Sequence, residues 1–256
     1  MKKILLFTTL ILMAFIQKPT PTLYIIGDST VKNGSGKGSD QLWGWGSVIQ
    51  EHFDTTRINI QNHAIGGRSS RTFLTEGRWD KILANLKAGD YVIMQFGHND
   101  GGAINDTTRA RGSIKGVGEE TQEIDNLLTK KNEIIHSFGW YMRKYIAETK
   151  AKGAIPIVCS LVPRNVWKDG KVQRSANDYA KWAAESADSQ GAFFINLNEI
   201  IALKYDQSSE EKLKADFFPK DHTHTNLAGA KLNAAMVLEG IEGLPKCGLK
   251  DFLRKK

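Results

Sequence analysis

Cysteine is scarce in this chain. Only Cys159 and Cys247 occur among 256 residues, so the fold cannot be a disulfide scaffold and must rest on its core. Cys159 lies in the apolar run Ile155 to Leu161 and reads as a small buried hydrophobe. Cys247 sits in the C-terminal tail, and nothing in the sequence argues for a bridge between the two. Long hydrophobic runs are also missing. The longest, Ile4 to Ile16, falls short of the roughly 20 residues that a membrane-spanning helix needs. No cysteine follows that run, which argues against a bacterial lipoprotein anchor. The chain has no internal repeat, no Pro/Ser-rich linker, no long block of one charge and no nucleic-acid motif. With 41% hydrophobic and 25% charged residues, it has the balance of an ordinary globular domain.

The N-terminus carries its own signal. Met1-Lys2-Lys3 is basic and the apolar run follows at once. This is the layout of a secretory signal peptide, expected over residues 1–19 with a weakly marked cleavage site. An uncleaved membrane anchor is the alternative. A single domain is expected over residues 20–256, secreted or periplasmic, with no stable membrane association once the leader is removed. The net charge of +7 permits nucleic acid, acidic lipid or acidic polysaccharide as a partner. Outside the cytoplasm, an anionic polymer fits better than nucleic acid, and a merely solvated basic surface is the plain alternative.

Apolar runs alternate with longer amphipathic stretches. Leu23–Ile26, Ile58–Asn62, Tyr91–Phe96, Ile155–Ser160 and Ala192–Leu197 read as strands. Ser47–Phe53, Trp79–Leu86, Glu133–Ala151 and Ala176–Ser189 have helical spacing. A final helix is expected from about Asn226, with Leu227, Ala230, Ala234, Val237, Leu238 and Ile241 on one stripe. The alternation predicts an α/β fold: a three-layer, flavodoxin-like sandwich around a five-stranded parallel sheet. Asp100 to Asn132, rich in Gly, Thr and charges, reads as a long loop inserted after the third strand, where such loops build or cover sites.

Open parallel sheets bind ligands at the carboxyl ends of their strands. Strand one ends in Gly27-Asp28-Ser29, ahead of an expected helix. Strand two leads into Gly66-Gly67-Arg68-Ser69, and strand three into Gly97-His98-Asn99-Asp100. Asp221-His222-Thr223-His224 precedes the last helix. Together these supply the parts of an acyl-transfer site. Ser29 needs a base before it becomes a nucleophile. A neutral imidazole at His224 can take its proton and later protonate the leaving alcohol. Asp221, three residues earlier, can hold the ring's tautomer. The backbone N–H groups of Ser29 and Gly67 and the side-chain amide of Asn99 can receive a developing oxyanion. Each residue alone has a plainer reading. Ser29, Asp221, Asn99 and Gly66-Gly67 suit turns and caps. His222 and His224 could face a metal, but no third ligand stands at a motif spacing.

Four such blocks in this order resemble the SGNH/GDSL hydrolase superfamily. The neighbouring text, Gly67-Arg68-Ser69-Ser70-Arg71, Thr75-Glu76-Gly77-Arg78 and Phe96-Gly97-His98-Asn99-Asp100-Gly101, resembles bacterial rhamnogalacturonan acetylesterases. The match runs from about Leu23 to Gly243. The resemblance implies the SGNH hydrolase fold, with Ser29 as nucleophile and Asp221 and His224 as acid and base. It implies an oxyanion hole of Ser29, Gly67 and Asn99, with no cofactor and no metal. Gly67 is preferred over Gly66 because the family's block-two glycine precedes Arg-Ser.

The expected function is a secreted serine esterase removing O-acetyl groups from pectic rhamnogalacturonan. Another acetylated glycan such as xylan, or a lipid, is the alternative substrate. A non-catalytic carbohydrate-binding module and a basic nucleic-acid binder are the alternatives of another class. Sugar rings stack on indoles, which nominates Trp43 and Trp167. Arg68, Arg71 and Arg78 could grip uronate carboxylates, or be solvated or paired within the protein.

Overall fold

The structure is a computed structural model that describes residues 19–38 and 40–254. The expected leader, residues 1–19, lies outside them except for Pro19. Nine strands are described: β1 (Thr22–Gly27), β2 (Asn59–Asn62), β3 (Tyr91–Gln95), β4 (Thr121–Asp125), β5 (Asn132–His136), β6 (Ile155–Cys159), β7 (Trp167–Lys168), β8 (Lys171–Val172) and β9 (Phe193–Ile195). Seven helices accompany them: α1 (Ser70–Thr75), α2 (Arg78–Leu83), α3 (Phe138–Ala151), α4 (Tyr179–Ser189), α5 (Leu197–Tyr205), α6 (Glu210–Phe217) and α7 (Leu227–Glu242). Among the described residues no helix is long and apolar enough to cross a membrane.

The central sheet is five-stranded, in the order β2-β1-β3-β6-β9, and every pairing in it is parallel. This is the expected α/β sandwich. Its two faces follow from the two-residue period of a strand. Leu23 and Ile25 of β1, Ile93 of β3 and Ile157 and Cys159 of β6 pack on one side, with Ile201 of α5 and Ala234, Val237 and Ile241 of α7. Tyr24, Ile26, Met94 and Val158 pack on the other side, with Phe73, Trp79, Tyr145 and Ala183 from α1 to α4. Each fully buried Ile, Val or Met contributes about 1.5–3 kcal/mol by leaving water. An unbroken apolar run thus supplies both faces of the sheet at once. Cys159 and Cys247 are free and buried.

Several local expectations change. Ser47–Phe53 forms short 3-10 turns, Trp45–Ser47 and Ile49–His52, rather than an α-helix. Glu133 to His136 belongs to β5, and α3 begins only at Phe138. Ser137 caps it by accepting from the Trp140 N–H at 3.0 Å. The expected loop 100–132 is not structureless: it carries β4, which pairs antiparallel with β5. Leu227 is 40% exposed and lies off the buried stripe of α7. Helices α1, α5 and α6 stand outside the helices that spacing predicts, although Ser69, Asn196 and Ser209 cap their first turns by accepting backbone N–H groups.

Candidate active site

The strand order places the topological switch point between β1 and β3, whose outer neighbours lie on opposite sides. Ser29 emerges there, immediately after β1. No helix follows it. Asp28 to Val31 makes a tight turn, with the N–H groups of Val31 and Lys32 donating to the Asp28 carbonyl at 3.2 and 3.0 Å. The next residues, through Gly34, Gly36 and Gly38, take positive φ and cannot sustain a helix. The turn is braced from below by a buried chain. Asp28 Oδ1 accepts from the Thr30 N–H and hydroxyl at 2.9 and 2.8 Å. Gln95 Nε2 donates to Thr30 Oγ1 at 2.7 Å, and Trp45 Nε1 donates to Gln95 Oε1 at 2.8 Å. Gly27 is required here by close approach, since a Cβ would stand 2.6 Å from the Gln95 carbonyl.

The loop before α7 brings His224 to Ser29 across 195 positions of sequence. Its Nε2 lies 2.8 Å from Ser29 Oγ, and its Nδ1 lies 2.7 Å from Asp221 Oδ2. Asp221 Oδ1 accepts the backbone N–H groups of Thr223 and His224 at 2.7 and 2.8 Å. Burial opposes ionisation of Asp221, but the His224 side chain and these N–H donors outweigh it and hold its carboxyl below the usual range. The loop is clamped on both flanks. Trp43 donates its N–H to the Thr225 carbonyl at 2.8 Å and Thr225 Oγ1 donates to the Trp43 carbonyl at 3.0 Å. On the other flank the Asn165 N–H donates to the His222 carbonyl at 2.7 Å. His222 itself is exposed and makes no side-chain hydrogen bond among the described residues.

Gly66, Gly67 and Asn99 face Ser29 across a cavity of about 640 Å³ that His224 also lines. A Cβ on Gly66 would stand 3.6 Å from that of Ser29. Gly67 has φ +78°, a conformation that favours glycine. Among the described residues the N–H groups of Ser29 and Gly67 donate to no protein acceptor. Asn99 Nδ2 donates one hydrogen to the Arg68 carbonyl at 2.9 Å and keeps a second. Behind Asn99, Asp100 accepts from the Gly97 N–H, the Ser70 N–H and hydroxyl and the Ser113 hydroxyl. That knot ties the β3 loop to α1 and to the insertion. Burial pushes Asp100 up to about 6, against the pull of the Ser70 and Ser113 donors. Burial likewise pushes neighbouring His98 down to about 4. Its imidazole is therefore neutral near pH 7.

The expected sugar contacts fare unevenly. Arg68 lines the cavity but is paired with Glu76, its Nε 3.0 Å from Oε2. Arg78 pairs with the same Glu76 and does not line the cavity. Arg71 is fully buried, which corrects its assignment as a sugar contact. Its guanidinium makes a bidentate pair with Glu133, both bonds 2.7 Å, and donates to the Ile104 and Gly112 carbonyls. It fastens the insertion to α1. Trp43 and Trp167 do not line the cavity either: both pack against the core, and Trp167 donates to Asn165 Oδ1 at 2.7 Å. Arg109, Arg111, Arg164 and Leu128 do line it, and no motif in the sequence marks them as site residues. Arg109 and Arg111 lie within the insertion, whose composition alone marked it.

A hydroxyl hydrogen-bonded to an imidazole, an imidazole oriented by a carboxylate, and free N–H donors across a small cavity can carry acyl transfer. Comparison with known proteins agrees. Residues 25–232 match the model of the GDSL-like lipase/acylhydrolase family. The chain is 32% identical over 220 residues to the rhamnogalacturonan acetylesterase of Emericella nidulans, covering 86% of this chain and 84% of that one. It is 30% identical over 229 residues to the probable rhamnogalacturonan acetylesterase YesY of Bacillus subtilis, covering 87% and 94%. The solved structure of the Bacillus subtilis protein YxiM superposes with a TM-score of 0.70 at 25% identity, over 88% of this chain and 56% of that chain. The chain belongs to the GDSL-like lipase/acylhydrolase family, the SGNH hydrolases, and is a carboxylic ester hydrolase.

Proposed function

We propose that this enzyme is an exported serine esterase that removes O-acetyl groups from an acidic pectic glycan of the rhamnogalacturonan type. The observation that carries the chemistry is the Ser29–His224–Asp221 chain of hydrogen bonds at 2.8 and 2.7 Å. The names of the relatives that are 30% and 32% identical support the acetyl group and the polymer. The basic, apolar N-terminal segment supports export.

In this reading Ser29 Oγ attacks the acetyl carbonyl carbon as its proton passes to His224 Nε2. Asp221 holds the Nδ1–H toward itself and stabilises the imidazolium. The carbonyl oxygen, now negative, meets the N–H groups of Ser29 and Gly67 and the free amide hydrogen of Asn99. His224 returns the proton to the departing sugar hydroxyl. A water, deprotonated by the same ring, then releases acetate from Ser29. Asp221 is ionised throughout the neutral range, as its lowered pKa requires.

Acetate release from acetylated rhamnogalacturonan, compared with acetylated xylan at equal acetyl content, tests the substrate. Faster release from the pectic polymer is expected. Equal or faster release from xylan would refute the pectic assignment, and loss of neither activity in Ser29→Ala would refute the nucleophile.

A further inference from the structure

Charge is unevenly distributed around the cavity beside Ser29. Arg68, Arg109, Arg111 and Arg164 line it, and the one carboxylate among its lining residues is Glu76. Glu76 is already engaged by Arg68 and Arg78. The other three arginines have no carboxylate partner among the described residues. Arg111 Nη1 reaches only the Gly67 carbonyl at 3.4 Å, and Arg164 Nη2 only the His98 carbonyl at 3.5 Å. Arg111 is half-buried. Burial first, and then the like charge of Arg109, lower the pKa of its guanidinium against the opposing pull of Asp28 and Asp100. Placing a desolvated cation beside other cations costs free energy unless an anion completes the site.

A second cavity, of about 580 Å³, adjoins the first. Arg111, Arg164 and His98 line both and so form the ridge between them. The second cavity is lined as well by Gln173, Ser175, the Asp178 carboxylate and Arg174, whose guanidinium is paired with Glu199 and Asp206. It is also lined by Tyr179, whose buried hydroxyl lacks a partner among the described residues.

We propose that Arg111 and Arg164, with Arg109 at the rim, form a carboxylate-binding subsite for a uronate residue of the glycan chain held at Ser29. A guanidinium fork matches a carboxylate in two parallel hydrogen bonds, which makes arginine the suitable residue for this task. The subsite rests on the esterase reading only for what happens at Ser29. It explains selection of an acidic polymer without Arg71 or Arg78, which are committed to internal carboxylates.

Titration calorimetry on the intact protein tests it, with de-esterified tetragalacturonate and, as the neutral probe of equal length, xylotetraose. The acidic oligomer is expected to bind at least about tenfold tighter at low ionic strength, a margin of about 1.4 kcal/mol, and to lose that margin as salt rises. Arg111→Gln and Arg164→Gln are each expected to weaken it by about tenfold. Lys212→Gln, which removes an exposed positive charge on α6, is expected to change neither probe. Arg164 is exposed, so its variant carries the test if Arg111→Gln melts abnormally. Equal affinity for the two oligomers, or arginine variants no worse than Lys212→Gln, would overturn the subsite. Hydrolysis of a small neutral acetyl ester by the unsubstituted protein is measured in parallel. Its absence would overturn the esterase reading while leaving the binding result to stand on its own.

Discussion

Arg71→Met is the perturbation whose outcome the fold specifies most closely. The guanidinium is completely buried, and its partner Glu133 keeps 16% of its side-chain surface exposed. Methionine fills similar space but strands the Glu133 carboxylate, which would keep only the Asn126 amide at 2.7 Å. It also strands the Ile104 and Gly112 carbonyls. Removing one partner of a buried pair costs about 3–5 kcal/mol. At about 2–4 °C per kcal/mol for a domain of this size, the melting temperature should fall by roughly 6–20 °C. Pairing the change with Glu133→Met removes the stranded charge. It leaves the two carbonyls and Asn126 unsatisfied, so only part of the loss returns, and the double-mutant cycle should show a coupling of at least about 2 kcal/mol. The sign of the pH dependence follows from Glu133. Burial opposes its ionisation, but Arg71 and Asn126 hold its pKa below the ordinary value. A depressed carboxylate stabilises the fold above its unfolded pKa and loses that contribution as pH falls through the folded one. The penalty of Arg71→Met should therefore be full at neutral pH and shrink as pH falls, because the stranded Glu133, left with burial opposing its charge, takes up a proton more readily than in the parent. Thermal melts followed by circular dichroism at pH 7 and pH 4 measure both effects. A melting temperature within about 2 °C of the parent, together with weaker binding of an acidic glycan, would refute the structural role and return Arg71 to the sugar.

Ser29→Ala should lower kcat by at least about a thousandfold with an unchanged melting curve, because residues of such a triad act as a unit; a tenth of the rate remaining would place the nucleophile elsewhere. Asn99→Ala should reduce kcat by roughly a hundredfold or more, since an oxyanion donor acts in the transition state. A change confined to KM would make Asn99 a ground-state contact. His224→Ala should abolish ester turnover while His222→Ala leaves it near the parent value, because only the His224 ring lies between Ser29 and Asp221. Steady-state kinetics on a small acetyl ester decides the ranking, and the reverse order would refute the assignment.

The layered sheet is legible in the sequence, and so are the residues that the structure gathers into the candidate site. Strands such as Leu23–Ile26 and Tyr91–Phe96 are legible because burial on both faces demands unbroken apolar runs. Ser29, Gly67, Asn99, Asp221 and His224 are legible because strand ends and helix starts are marked locally, by glycines and by a cap such as Asn226. Helical spacing runs on through Glu133 to His136, but those residues pair with β4 and the Ser137 cap marks where α3 begins. Which charges are spent and which are free depends on the packed fold. Arg71 and Arg111 look alike in sequence, yet one is closed by Glu133, 62 positions away, and the other faces the cavity without a carboxylate partner among the described residues. The fold likewise turned Trp43 from an expected sugar platform into a clamp on the His224 loop. Hydrophobic periodicity is written residue by residue, so it can be read along the chain. A charge takes its role from its partner, and partners are brought together only by the packed fold.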